Sequence, residues 1–559
     1  ALLTGNVQLA GGEMTVGSGR LQLTHGGKHL VAEGPIALRH GERWTGEASS
    51  LEFDVELDLL TMRGPVAIHG RLEDAQPVEI QAGKIVLDRQ GRVLRALGEV
   101  TASHGASHFQ STRAEIFLAA DGETPSMLVL DGKLSGTYIG APSGEAGVQS
   151  GERVDFKGDS LSLQFGESGI ADPQTMRLDG KVKNLALIES VNGDIIHAIA
   201  SKGLLMELEG GRPRSASSQE PVYFAEYHRG VTEPVRSGRS DRAEAEFGAG
   251  GGVSRVVLIG GVTLSDPKFR GWGEQALFDF QEERSELLGA PARTEAEGGE
   301  FSSPHIVYAR KSGVLTADRG VRGLLKGGRR GGGGAPATLA GVGFRGDQPV
   351  EFQADEAVFT DAPRGFLLKG KVRAWQGKSL LLADQLRGEE AEERLSAAGN
   401  VRTLIALRPS VSAGSAPATG AKASDPPAAA PAPAAQMTEV IAELLTYRKG
   451  EGTLTYSGGV RLTQGTRALF CDELVALLDT AGGSQQVRRM TGTGKVRLVD
   501  SAAGQSIVGS SAAYDVAAEN IELTGDPLTI KDESGAVLTG KRAFYDLETG
   551  VARLAGAEP

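Results

Sequence analysis

Residues 51–59 read LEFDVELDL, in which Leu51, Phe53, Val55, Leu57 and Leu59 alternate with Glu52, Asp54, Glu56 and Asp58. A period of two sets apolar side chains on one face of a strand and carboxylates on the other; a helix would scatter them around its circumference. The same alternation marks Val7/Leu9, Ile36/Leu38, Val66/Ile68, Val460/Leu462, Val496/Leu498, Ile521/Leu523 and Leu528/Ile530. A glycine precedes most of these pairs, and its freedom to take positive φ predicts a turn followed by a strand. Helical periodicity is nearly absent. The best candidate, EVIAELLTYRK, occupies a position in the repeat that predicts a strand instead.

The glycine phrases recur. They start at Gly5, Gly34, Gly64, Gly98 and Gly132, spaced by 29, 30, 34 and 34 residues (34−5, 64−34, 98−64, 132−98), and at Gly459, Gly494 and Gly525, spaced by 35 and 31 (494−459, 525−494). A phrase returning about every thirty residues marks a stacked repeat rather than separate globular cores. The stretch TGTGKVRLVD at 491–500 imitates a phosphate-binding loop. However, Val496 follows Lys495 where Ser or Thr is required, and Arg489 stands where the first glycine belongs. Lys495 is therefore expected to be a solvent-facing residue at a strand start.

Composition narrows the options. Glycine supplies 79 of 559 residues, roughly twice the usual share, and aromatics only 5%, which suits many thin, similar layers. A net charge of −12 without a basic block disfavours nucleic acid as a partner. The single cysteine, Cys471, excludes an intrachain disulfide and disfavours a zinc site. His104 and His108 lie four apart, but on an alternating and not a helical segment, so they lack the metal-binding geometry of paired helix histidines. Asp472, Glu473 and Asp515 read as turn and solvent-face residues, and Trp44, Trp272 and Trp375 are scattered. No apolar run reaches membrane-spanning length. The sequence opens at Ala1 inside a repeat, consistent with a removed signal peptide or anchor. Two tracts break the rhythm: a Gly-rich one at 324–341 and a Pro/Ala/Ser one at 409–436. Because an alternating strand resumes after each, both are expected to be loops inserted within a repeat.

Residues 437–559 resemble the OstA-like periplasmic proteins of lipopolysaccharide transport, the LptA/LptC family. The words that carry the resemblance are YSGGVRLTQGTRALFCDELVALLD, MTGTGKVRLVD, AAYDVAAENIELTGDPLTI and LTGKRAFYDLETGVARLAG. It is weaker over 1–140 and 345–405 and poor over 185–250. The usual members are much shorter, which leaves a fused or internally duplicated version open and LptA-like and LptC-like assignments undivided. The resemblance implies an all-β fold, an extended, twisted, open β-jellyroll of tandem ~30-residue repeats with two facing antiparallel sheets. The expected divisions are repeats at 1–322, an inserted loop at 323–347, further repeats at 348–408, a second loop at 409–436, and C-terminal repeats at 437–559. It further implies a non-enzymatic, periplasmic bridge component, with anchoring at the inner membrane by a segment outside this sequence as an option.

Lipopolysaccharide acyl chains would lie between the sheets, against Val7, Leu9, Val66, Ile68, Val460, Leu462, Val496, Leu498, Ile521, Leu523, Leu528 and Ile530, with no cofactor, metal or catalytic residue. Expected partners are other Lpt-type jellyrolls or a second copy, joined end to end by strand addition, together with an inner-membrane transporter and an outer-membrane translocon. Two alternatives share the alternation: a β-helix polysaccharide lyase or hydrolase, and a structural β-solenoid or adhesin whose interior is filled by its own side chains. The first would need carboxylates converging on one face beside aromatic sugar platforms, and the sequence gathers none.

Overall fold

The computed structural model describes residues 1–71, 76–139, 153–181, 185–248, 252–296, 298–326, 344, 348–407, 436–479, 486–516, 518 and 520–555. Among them nearly all regular structure is strand, and the one helical element is a single 3₁₀ turn at His25–Gly27. The chain divides into two compact units, Ala1–Leu287 and Leu288–Pro559. EVIAELLTYRK lies in a strand, Gln436–Arg448.

In the first unit the strands from Leu2–Gly11 to Arg153–Gly166 each pair antiparallel with the one before. Every register breaks near the middle of the strand. Between Val93–His104 and its neighbour Pro77–Asp88, for example, pairing runs from Asp88↔Val93 to Lys84↔Leu97 and resumes at Gln81↔Thr101. The break is a bulge, which bends the strand. Each strand thereby contributes its first half to one wall and its second half to the other. The inner faces of both halves are buried: Ala96 and Val100, on either side of the bend, are almost fully enclosed.

This geometry corrects the expected role of the recurring glycine. It does not precede a strand; it sits inside one, at the corner. Gly98–Glu99, Gly132–Lys133, Gly370–Lys371, Gly399–Asn400 and Gly494–Lys495 are all pairs with positive φ, in the range +45° to +79°. Two successive left-handed residues turn the chain sharply, and at Gly494 the first is also crowded: a Cβ there would lie 2.5 Å from Asp472 Oδ2 on the adjacent strand. Lys495 is exposed at the outer side of that corner, in the middle of Gln486–Asp500 rather than at a strand start. Its backbone strain is that of a bend, and its side chain reaches no phosphate cradle. Alternate strands carry the glycine corner, so a repeat of about thirty residues is a pair of strands.

A second correction concerns LEFDVELDL. The strand Trp44–Asp54 ends within it, and the next, Leu59–Arg71, begins at its last residue. Val55 and Leu57 are 49% and 57% exposed. The Asp54 carboxylate accepts hydrogen bonds from the N–H groups of Glu56 and Leu57 at 2.9 and 3.1 Å, so a side-chain turn overrides the alternation.

Between Arg153–Gly166 and Val253–Ser265 the architecture changes. Strands no longer run through the corner. One wall is built from Ala186–Asn192, Ile195–Ser201, Val222–His228 and Arg236–Ser240, and the other from Gly169–Asp179, Gly203–Glu209, Arg212–Ser218 and Arg242–Phe247. The chain passes from wall to wall through short crossings where Ser201 and Ser218 are buried and hydrogen bonded at 2.8 Å.

The second unit repeats the bent-strand pattern from Arg364–Gln376 to Val537–Asp546. The Gly-rich tract, 327–343, and the Pro/Ala tract, 408–435, lie outside the described residues. The strands on either side of each pair with one another: Val321–Leu325 with Val350–Ala354, and Arg394–Leu407 with Gln436–Arg448 from Arg394↔Arg448 to Leu407↔Gln436.

Candidate functional site

Strand register aligns inward side chains into rows. One row of the first unit runs Leu9–Val16–Leu38–Gly46–Ile68–Ile80–Ala102–Phe109, each residue directly opposite the next. In the second unit Leu462, Leu469, Leu498, Ile507 and Ile530 form another. These are the cross-strand contacts that stabilise a sheet face. Where the two walls do not fully close, the same rows line a slot.

The larger opening, of about 90 Å³, lies in the first unit. Val78, Ile80 and Phe109 line it from one wall and Leu94, Leu128 and Leu163 from the other. At roughly 10–15 Å³ for each water-sized group, it has room for about six to nine such groups. Its walls are overwhelmingly hydrocarbon, with His104, Ser103 and Ser107 at one side. The second opening, of about 50 Å³, lies in the C-terminal unit between Leu462, Leu469 and Leu498 on one wall and Leu474, Met490, Tyr514 and Ile521 on the other.

Leu462, Leu498 and Ile521 thus share one opening. Val460, Val496, Leu523, Leu528 and Ile530 are buried in the same unit but outside its lining, the first four close to the corners. In the first unit Val66 is buried, Val7, Leu9 and Ile68 are half-buried, and none lines the larger opening. The sequence singles out none of its apolar lining residues, although PVEIQ, at 77–81, carries the alternation. Nothing in one strand says which of its inward residues will meet a gap.

Polar chemistry closes one side of the C-terminal opening. Arg467 lines it, donates from Nε to Asp500 Oδ2 at 3.0 Å and from Nη2 to the Leu547 carbonyl at 2.5 Å. Asp500, 3% exposed, also accepts from the Tyr545 hydroxyl at 2.5 Å and from the Ala502 N–H at 2.9 Å. Burial pushes the Asp500 carboxyl up, but the donors from Tyr545, Arg467 and the backbone outweigh it and hold it well below the usual carboxylate range. Burial, and then the bond to Asp500, raise Tyr545 to about 12.

The remaining candidates have structural roles. Cys471 is buried, and burial followed by Asp472 and Glu473 lifts its thiol to about 11, which makes it unreactive. Asp472 packs against the Gly494 corner, and Asp515 accepts the Ala518 N–H at 3.2 Å in a turn. Among the described residues no group of His, Cys, Asp and Glu is arranged to hold a metal. No helix among them is long and apolar enough to cross a membrane, which says nothing about crossing by strands.

A tandem array of strands bent at glycine corners, with an apolar slot between the walls, defines an open β-jellyroll. Residues 439–551 match the family model described as LptA/(LptD N-terminal domain) LPS transport protein. The matched segment lies in the C-terminal unit and is similar to OstA-like proteins of lipopolysaccharide transport. Among solved structures the chain is similar to LptH, the LptA homologous periplasmic component of the lipopolysaccharide transport device of Pseudomonas aeruginosa. That likeness has 15% identity, covers 23% of this chain and 76% of that one, and has a TM-score of 0.18. No curated protein sequence matches the chain.

Proposed function

We propose that this protein is a non-enzymatic, periplasmic lipid-binding bridge component that carries lipopolysaccharide from the inner to the outer membrane with its acyl chains in the slot between the walls. The observation that carries the reading is the joint lining of one apolar opening by Leu462, Leu498 and Ile521 inside the family-matched segment. Burying a chain there contributes about 0.8 kcal/mol for each CH₂ group. Because hydrocarbon contacts need no fixed register, a tail held this way is free to slide.

Partners would add at the ends. The first strand, Leu2–Gly11, pairs on one side only and exposes Leu2 and Leu3; Val537–Asp546 exposes Val537 and Leu538. Among the described residues Leu2–Gly11 offers unpaired backbone along its length, and Val537–Asp546 does so only in its first half, since Ala543–Tyr545 pair outward with Ala552–Leu554; another Lpt-type jellyroll or a second copy adding there would link the chain to a transporter and a translocon. In the same reading the tracts within 323–347 and 409–436 are loops inserted in continuous repeats, as the pairing of their flanking strands supports.

The test is extraction of lipid from the full chain purified out of a Gram-negative membrane background. Lipid A-type acyl chains are expected to co-purify with the wild type and to fall to background with Leu498→Asp, which sets a carboxylate on the slot wall. Absence of lipid from the wild type, together with no uptake of a fluorescent fatty acid, would sink the proposal.

A further inference from the structure

The inner row that begins at Tyr138 and Val154 continues as Ser190, His197, Glu226 and Arg236, each directly opposite the next on successive strands. Everywhere along the adjacent row the side chains are hydrocarbon or absent: Phe156, Ile188, Ile199, Phe224, Gly238. Here the interior is ionic. His197, Glu226 and Arg236 are 6%, 2% and 5% exposed. Arg236 Nε lies 3.1 Å and His197 Nε2 3.4 Å from the same carboxylate oxygen, Glu226 Oε2. Ser190 Oγ and His197 Nδ1 are buried without a hydrogen-bond partner.

The opposite wall meets this row directly. Phe278 pairs with Val256 on that wall, and Phe280 follows two residues later. The Phe280 ring centroid is 4.1 Å from that of His197, and the Arg236 guanidinium lies 5.4 Å over Phe280 and 5.8 Å over Phe278. Phe224, from the same wall as the charges, packs 5.2 Å from Phe278. The walls that stand apart around Val78–Pro173 are therefore meshed at this level, and no tail fits between them.

We propose that this aromatic and ionic cluster is a gate on the apolar path of the first unit, the element that decides whether a chain seated between Val78 and Pro173 advances past the split-strand segment. The proposal rests on the lipid-binding reading given above. Two features suit the cluster to opening. Among the described residues between Gly169 and Phe247 no strand ties both walls together through a glycine corner, and the backbone passes between them in short crossings. An aliphatic seal would lose its contacts without return on parting, whereas water reaching Glu226, Arg236 and His197 restores the hydration their burial removed. That return lowers the cost of parting the walls, which an element that opens requires.

A palmitate carrying a diazirine near its tail end, photolysed on the full chain and mapped by peptide mass spectrometry, tests it. In the wild type, label is expected on peptides holding Ile80, Leu128 and Leu163 and not on 222–240. Phe280→Ala, which removes the ring over His197 and Arg236, is expected to raise label on 222–240 about tenfold relative to the cavity peptides, a ratio that a modest loss of contact suffices to produce. His197→Ala, which leaves the Glu226–Arg236 pair in place, is the second variant should the first fail to fold, and is expected to act in the same direction. Equal wild-type labelling of 222–240 and the cavity peptides overturns the gate alone, as does a folded variant with the wild-type pattern. No label on any peptide overturns the lipid-binding reading beneath it.

Discussion

Two stretches of the first unit solve the same problem differently. Over 59–139 each strand runs through both walls, and alternate strands bend at a glycine with positive φ such as Gly98 or Gly132. Over 186–247 the strands stop at the corner, and buried serines replace the glycine bend. The first arrangement fixes the separation of the walls at every strand and leaves an opening lined by Ile80, Leu94 and Leu128. The second frees the walls from one another, and they close on a charged row instead. Continuity of the strand, more than hydrophobicity, separates a slot from a seal.

The contrast breaks most visibly at Glu226. Glu226→Ala leaves Arg236 buried beneath two phenylalanines without its carboxylate, and is expected to cost about 3–5 kcal/mol; the midpoint of the unfolding transition in urea reads it. A wild-type midpoint would mean that the charged row is solvated and not part of a seal.

Asp500 sharpens the comparison, because it is a buried charge placed where strands do run through the corner. Asp500→Asn keeps the shape but weakens charge-assisted bonds worth about 1.5–3 kcal/mol. The sign with pH follows from its depressed carboxyl. Its stabilisation is complete above the unfolded value of about 3.9 and is lost as pH falls below it toward the lower folded value. Tyr545 acts at the other extreme: with its folded value raised to about 12, its contribution is complete below an ordinary tyrosine value of about 10 and is lost as pH rises through 12. Denaturant midpoints against pH should therefore fall more steeply on the acid side in the wild type than in Asp500→Asn.

The corner itself should show the smallest effects. Gly494→Ala forces a Cβ into a left-handed residue, at about 1–2 kcal/mol, and against Asp472 besides. Lys495→Gly relieves the left-handed strain of the next residue, φ +45°, at the expense of unfolded-chain entropy, so a change within about 1 kcal/mol of zero is expected. Equal losses from both substitutions would show that the corner does not distinguish its two positions.

Much of the plan was legible. The alternation of Val496 and Leu498 placed them on an inner face, where both are buried, and EVIAELLTYRK proved to be a strand, as its place in the repeat required. Other features were hidden for definable reasons. Val55 and Leu57 fitted the period of two perfectly yet lie in a turn, because one carboxylate, Asp54, bonds the backbone locally. The gate residues were invisible, since two strands of the other wall separate Ser190 and His197 from Glu226 and Arg236, and each looks, one at a time, like an ordinary polar position.

By itself, the amino-acid sequence determined what is periodic: strands, a phrase returning about every thirty residues, an apolar inner face, and the likeness of 439–551 to lipopolysaccharide-transport proteins. Those are local properties, set by side-chain alternation and by the backbone freedom of glycine. Only the tertiary structure decided where the recurring glycine sits within its strand, where the walls part, and where a charged row meets the facing rings. These depend on register between strands and on contact across the interior, quantities that no short stretch of chain carries.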